Sequence, residues 1–367
     1  MTLTNYWWLL IWLCAGGAVL NTMQKRQEII NGKPAARWDV LPAVLLVVPY
    51  IIWTGFRPSS FGDTGAYRAS FLNLSTSLSV IPALFTGDVK DPGYTVLQIL
   101  LKILIGNRDI LFFLIIAAFQ MLCIALTYRK FTSHYWVCIF LFIVSTDYLS
   151  WMFNGMRQFI AAAAIFACFG WMLEKKYVPL ILTILLVSSI HGSALLMLPI
   201  VFVVQGKAWN FKTILALITT AVVMVYIDQF TPILDYLLQN TQYDDMITNE
   251  IWTGDDGTNL IRVLVYSVPA LLSLFGLRYV READDPVINL SVNCSIVTMA
   301  LYLVASVSSG IYVGRLPIYT TLQGYIALPW LINAIFERRS AKLVSGMMIV
   351  LYLIFFYYQM HLMWELL

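Results

Sequence analysis

Residues 177–205, YVPLILTILLVSSIHGSALLMLPIVFVVQ, decide the fold: 29 consecutive positions without an Asp, Glu, Lys or Arg. A hydrocarbon core is crossed by roughly 20 apolar residues, so the stretch is too long for one crossing and interrupted where a second would begin, at His191-Gly192. Its flanks are both basic, Lys175 and Lys176 before it and Lys207 and Lys212 after it. Short basic loops stay in the cytoplasm, so both ends belong on that side and the stretch is expected to turn at His191-Gly192 on the outer face. A single helix would instead export Lys207, Lys212, Arg278 and Arg281.

The rest of the chain extends this pattern. Of 367 residues, 60% are hydrophobic and only 12% charged, too few polar groups to coat a soluble globule of this size. Hydropathy places further spans near 3–20, 38–54, 109–128, 135–150 and 156–173, then 213–232, 261–279, 289–308, 316–334 and 343–362. With the two halves of 177–205, the expected fold is an all-α, polytopic membrane protein of about 12 transmembrane helices, one integral membrane domain over 1–367. The N-terminus lacks a basic leader and an Ala-x-Ala signal, so Leu3 to Leu20 is expected to be a retained span. Basic loops at Lys25 to Arg37, Arg129-Lys130, Lys175-Lys176, Lys207 to Lys212, Arg278 to Arg281 and Arg338 to Lys342 set the orientation. Long segments over about 56–107 and 232–259 then face outward. Tyr94 to Ile105 is too short to span and is expected to lie along the outer interface. The five Cys sit inside apolar runs without CxxC spacing, which suits packing. No phosphate loop, nucleophile elbow, dinucleotide turn or metal-ligand spacing occurs, and nothing points to a cofactor, a metal or nucleic acid.

The outward side carries six arginines, Arg57, Arg68, Arg108, Arg157, Arg262 and Arg315. Phosphate oxygens match the planar fork of Arg better than the point charge of Lys, and Arg on this side of a membrane needs a reason. Two readings compete for each: a snorkelling side chain at lipid headgroups, or a contact to a phosphorylated substrate. Asp63, Tyr67 and Arg68 cluster at a helix start, where Asp63 either caps the helix or acts on a sugar hydroxyl. Asp91-Pro92-Gly93-Tyr94 reads as a helix opener, with Pro in the first turn. His191 stands in an apolar run, where an imidazole is expensive. It either bonds the backbone of a turn or serves as a general base. Asp235, Asp244, Asp245, Glu250, Asp255 and Asp256 make a solvated acidic loop, with Trp252 as one aromatic that could stack on a sugar ring.

In chain order, Gly62-Asp-Thr-x-x-Tyr-Arg68, Asp91-Pro-Gly-Tyr94, Arg157-Gln158, Ile190-His-x-Ser-Ala194 and Gly314-Arg-x-x-x-Tyr319 together resemble the EpsG family of Wzy-type polysaccharide polymerases. The resemblance runs over Gly62 to Tyr319. It implies a bacterial cytoplasmic-membrane transferase that joins oligosaccharide repeat units carried on undecaprenyl pyrophosphate into O-antigen, capsule or exopolysaccharide. It further implies an outward-facing site, no metal or cofactor, and a flippase and a chain-length regulator as partners. His191 or Asp63 would take the acceptor's proton. Arg157 and Arg315, with Arg57 or Arg68, would hold the pyrophosphate, and Tyr67, Gln158 and Tyr319 would contribute further substrate contacts. The carboxylate in the first outward loop and the interfacial helices behind it are also similar to GT-C glycosyltransferases. The rival readings are a GT-C enzyme using a polyprenyl phosphate sugar, a lipid-linked oligosaccharide flippase, and a membrane O-acyltransferase.

Overall fold

The computed structural model describes residues 4–23, 25–30, 33–86, 89–227, 257–308, 310 and 313–363. The acidic segment from Asp235 to Asp256, with Trp252, lies outside them. Helix dominates, as expected for a chain whose backbone must satisfy its own hydrogen bonds in lipid. The elements run α1 (Thr4–Leu20), β1 (Lys25–Ile30), β2 (Lys33–Trp38), α2 (Val40–Gly55), α3 (Thr64–Asn73), α4 (Ile81–Thr86), α5 (Pro92–Ile105) and α6 (Asp109–Phe131). They continue as α7 (Tyr135–Val144), α8 (Asp147–Leu149), α9 (Met156–Ala167), α10 (Phe169–Leu173), α11 (Tyr177–Ser188), α12 (Met197–Val203) and α13 (Phe211–Val225). After the undescribed segment come α14 (Leu260–Phe275), α15 (Leu277–Ala283), α16 (Pro286–Ser306), α17 (Ile318–Ile335) and α18 (Arg338–Tyr358).

The all-α expectation needs one correction. The basic loop between the first two spans contains an antiparallel hairpin, β1 paired with β2 in a register that sets Lys25 opposite Trp38 and Ile30 opposite Lys33. Asn31-Gly32 between the strands is a strong short-range hairpin signal that the reading of this segment as a basic loop passed over.

Among the described residues, three helices are long and apolar enough to cross a membrane: Asp109–Phe131, Pro286–Ser306 and Arg338–His361. Three bent pairs raise that number to six, and seven shorter apolar helices of 10–17 residues accompany them. Many large apolar side chains on these helices are exposed, among them Leu104, Val178, Phe211, Val225 and Phe275. So much exposed apolar surface suits lipid and not water. α5, with 14 residues, rises about 21 Å against a core of about 30 Å. The long apolar stretch does break at His191. α11 ends at Ser188, and a one-turn 3-10 helix opens at Gly192 and leads into α12. Each half has 12 residues and rises only about 18 Å.

Two compact units emerge. The first takes in Met1–Leu84, Asp91–Leu195 and Phe336–Leu367, the second Phe85–Lys90 and Leu196–Ile335. In the first, α6 is the central helix, packed by α2, α9, α3 and α5, while α11 lies on α9 and α5. Its core joins Tyr67, Phe71, Tyr94, Phe112, Phe113, Ile116, Met156 and Ile160. Phe71 stacks on Phe112 with ring centroids 4.3 Å apart. This aromatic core seats the start of α3, α5 and α9 side by side. In the second unit α14, α16 and α17 pack together and α13 lies on α16.

Candidate functional site

The loop after α2 folds around Arg57, which is 2% exposed. Its Nη1 donates to the Met152 carbonyl at 2.6 Å, and its guanidinium lies 4.0 Å from the centre of the Phe113 ring. Burial lowers this guanidinium to about 10, so it remains charged at neutral pH. A charge buried this way needs partners, and Nη1 finds the carbonyls of Met152 and Phe153 in the π-helical turn Ser150–Asn154 while Nη2 meets Met156 Sδ at 2.8 Å. Arg57 therefore holds that turn in place. Arg68 is likewise engaged: its Nε meets Asp109 at 2.6 Å, one Nη donates to Ser59 and the other to the Arg57 carbonyl.

Beyond this anchor, Gly62 adopts φ +49, a left-handed backbone where a Cβ would also press on Asn154. Asn154 ties the loop down. Its Oδ1 accepts from the Asp63 amide at 3.1 Å, and its carbonyl accepts from the Tyr67 hydroxyl at 3.1 Å. Asp63 stands at the N-cap position of α3 but makes no side-chain cap bond, and it is exposed. The capping explanation for that carboxylate thus falls away in this structure.

The turn before α5 supplies what local reading missed. Asp91 is left-handed (φ 55), makes no cap bond to its own helix, and is 2% exposed. Its Oδ2 accepts from Arg157 Nη1 at 2.7 Å, while Oδ1 accepts from the Gly192 amide at 3.4 Å. The same turn touches the His191 segment again, where Gly93 N–H donates to the Ser189 carbonyl at 2.8 Å. A Cβ on Gly93 would run into the Ser189 hydroxyl and stand 2.8 Å from its carbonyl carbon. Gly93→Ala is therefore expected to cost roughly 1–3 kcal/mol as an overpacking change. A melt in detergent that matches the wild type would show that the two turns do not meet this closely.

His191 is half-buried, and its Nδ1 lies 2.7 Å from Ser193 Oγ. Ser193 Oγ also accepts from Gln158 Nε2 at 3.3 Å. Gln158 thus reaches the imidazole through Ser193. Tyr94, 5% exposed, holds its ring 5.9 Å from the Arg157 guanidinium and packs edge-on against Tyr67. Its hydroxyl has no hydrogen-bond partner, a buried polar atom in want of one.

Of the residues singled out in the sequence, the first unit brings Asp63, Tyr67, Arg157, Gln158 and His191 into one connected region. Asp91, Tyr94, Asn154 and Ser193 complete it. Asp-Pro-Gly-Tyr was legible as a motif, but a helix opener already explained it locally. Arg315 and Tyr319 belong to the second unit. Arg315 is exposed on the one-turn helix Val313–Arg315, and Tyr319 is buried in α17. Arg262 lies 5.7 Å and 5.9 Å from the rings of Tyr266 and Tyr302, which stack 4.9 Å apart. Among the described residues no group of three or more His, Cys, Asp or Glu could hold a metal.

The chemistry available in the first unit is a fixed, partly exposed guanidinium, an imidazole oriented by a hydroxyl, an exposed carboxylate and a buried phenol. Such a set suits an anionic leaving group and a proton transfer. Among known proteins, the model of the EpsG family matches residues 40–365. No curated protein and no solved structure matches the chain.

Proposed function

Because the chain belongs to the EpsG family, a family of Wzy-like polysaccharide polymerases, we propose that it polymerises lipid-linked oligosaccharides at the outer face of the bacterial cytoplasmic membrane. The observation that carries this reading is the arrangement around Arg157. A guanidinium held by a buried carboxylate lies in the same connected region as His191, Ser193 and Gln158. The growing glycan on undecaprenyl pyrophosphate is the donor, and an incoming lipid-linked repeat unit is the acceptor. A hydroxyl of the acceptor attacks the donor's anomeric carbon. The bond from that carbon to the pyrophosphate oxygen breaks, and the pyrophosphate departs with the electron pair. Arg157 stabilises the charge that develops on it, and His191 accepts the hydroxyl proton, with exposed Asp63 as the alternative base. Tyr67 and Tyr94 pack their rings in the core beside Arg157 and support its guanidinium. Arg57 is left out of substrate contact, since it is buried with Nη1 on backbone carbonyls and Nη2 on Met156. The chain would span the membrane about twelve times, with its short basic loops inside.

Purified protein in lipid vesicles, supplied with one defined undecaprenyl-pyrophosphate-linked repeat unit, is expected to yield a ladder of products differing by whole repeats. Addition of a single sugar from a polyprenyl phosphate donor would favour the GT-C reading. Movement of the substrate across the bilayer without new glycosidic bonds would favour a flippase.

A further inference from the structure

We propose that Asp91 is a positioning residue that presents Arg157 and the His191 turn to the substrate as one rigid group; this rests on the polymerase reading above. Three observations carry it. The Asp91–Arg157 pair is asymmetric: the carboxylate side chain is 1% exposed and the arginine side chain 30%. The acid is thus the anchor and the guanidinium the part held out. The contact uses one nitrogen of the fork, Nη1, and Nε is buried, so an anion would meet the guanidinium only through its exposed part. Second, Asp91 reaches two sites of different chemistry at once, Arg157 through Oδ2 and the amide next to His191 through Oδ1. Third, the residue is bent for this purpose. It occupies the N-cap position of α5 in a left-handed backbone (φ 55), and its side chain makes no cap bond to that helix. An Asp that served only the helix would need neither that conformation nor a distant partner, and such strain persists where surrounding contacts over-determine it.

Two consequences follow from the charge. A buried carboxylate beside Arg157 opposes the binding of another anion there, so it weakens pyrophosphate binding while it improves aim. It also competes with pyrophosphate for the guanidinium, which favours departure of the leaving group after transfer. A misplacement of about 1 Å in such a group can lower turnover by roughly 10²-fold.

The test uses the full chain in vesicles, with turnover counted per folded molecule and inorganic pyrophosphate as a binding probe. Asp91→Asn keeps the shape and removes the charge. Turnover should fall by roughly 10²-fold, KM for the lipid-linked unit should not rise, and pyrophosphate should bind several-fold more tightly. Asp91→Glu keeps the charge and lengthens the arm. Turnover should again fall, by about 10-fold or more, with pyrophosphate affinity unchanged. Wild-type turnover in either folded variant, or weaker pyrophosphate binding in Asp91→Asn, overturns the proposal. So does failure of both variants to fold, which would make Asp91 a structural residue. A wild-type protein that neither forms polymer nor binds pyrophosphate overturns the polymerase reading, and this inference with it.

Discussion

Arg157→Lys is expected to leave a folded, membrane-inserted protein whose rate of polymer formation is lower by roughly 10²-fold or more, by analogy with loss of one oxyanion donor. The substitution keeps the positive charge and so keeps a partner for buried Asp91. It removes the planar fork that can grip two phosphate oxygens at once. The size of the ladder formed in a fixed time is the readout. Arg157→Ala should be equally inactive but less stable, because it leaves buried Asp91 charged without its guanidinium. Breaking a buried pair costs roughly 3–5 kcal/mol, and the partial exposure of Arg157 places this case at or below the lower end. Combining Arg157→Ala with Asp91→Asn should recover much of the stability and none of the activity. Full activity in Arg157→Lys would remove the anion-clamp role and leave a headgroup contact in its place.

His191→Gln is expected to fold, to bind lipid-linked substrate almost normally, and to lose roughly 10²–10⁴-fold in turnover. Gln can hydrogen-bond toward Ser193 Oγ, which now lies 2.7 Å from the imidazole nitrogen, but it cannot accept a proton at neutral pH. The pH profile carries independent information. An imidazole base must be neutral to work, so wild-type activity should fall as pH drops and the ring becomes protonated. Any residual activity of the Gln variant should lack that limb. If instead the variant turns over at near wild-type rates, His191 is a turn residue. Asp63, exposed and free of helix capping, then becomes the base to test.

Much of the site could be read along the chain, because an ionisable residue in an apolar run is costly and stands out. His191 was found this way, Arg157 as an arginine at the edge of an apolar run and Asp63 from its cluster with Tyr67 and Arg68, and the structure places all three in one unit. The break at His191 was found by another route. Basic residues on both flanks of an apolar stretch require an interruption between them, and α11 does end just before it. Arg57 and Arg68 carry the same charge as Arg157, yet they serve the fold: their guanidinium groups go to Met152, Ser59 and Asp109. Charge alone does not separate an arginine that meets substrate from one that ties down a loop.

The composition and charge pattern determined by themselves that the chain is helical and belongs in lipid, because burying apolar length and keeping basic loops on one side are local demands of each segment. Tertiary structure alone decided the partner of Asp91. An Asp before Pro-Gly has the same local appearance whether it caps its helix or reaches Arg157, 66 positions further along the chain. Only the packing of α3, α5 and α9 on α6 brings those two charges within bonding distance, since a long-range ion pair leaves no periodicity in the sequence.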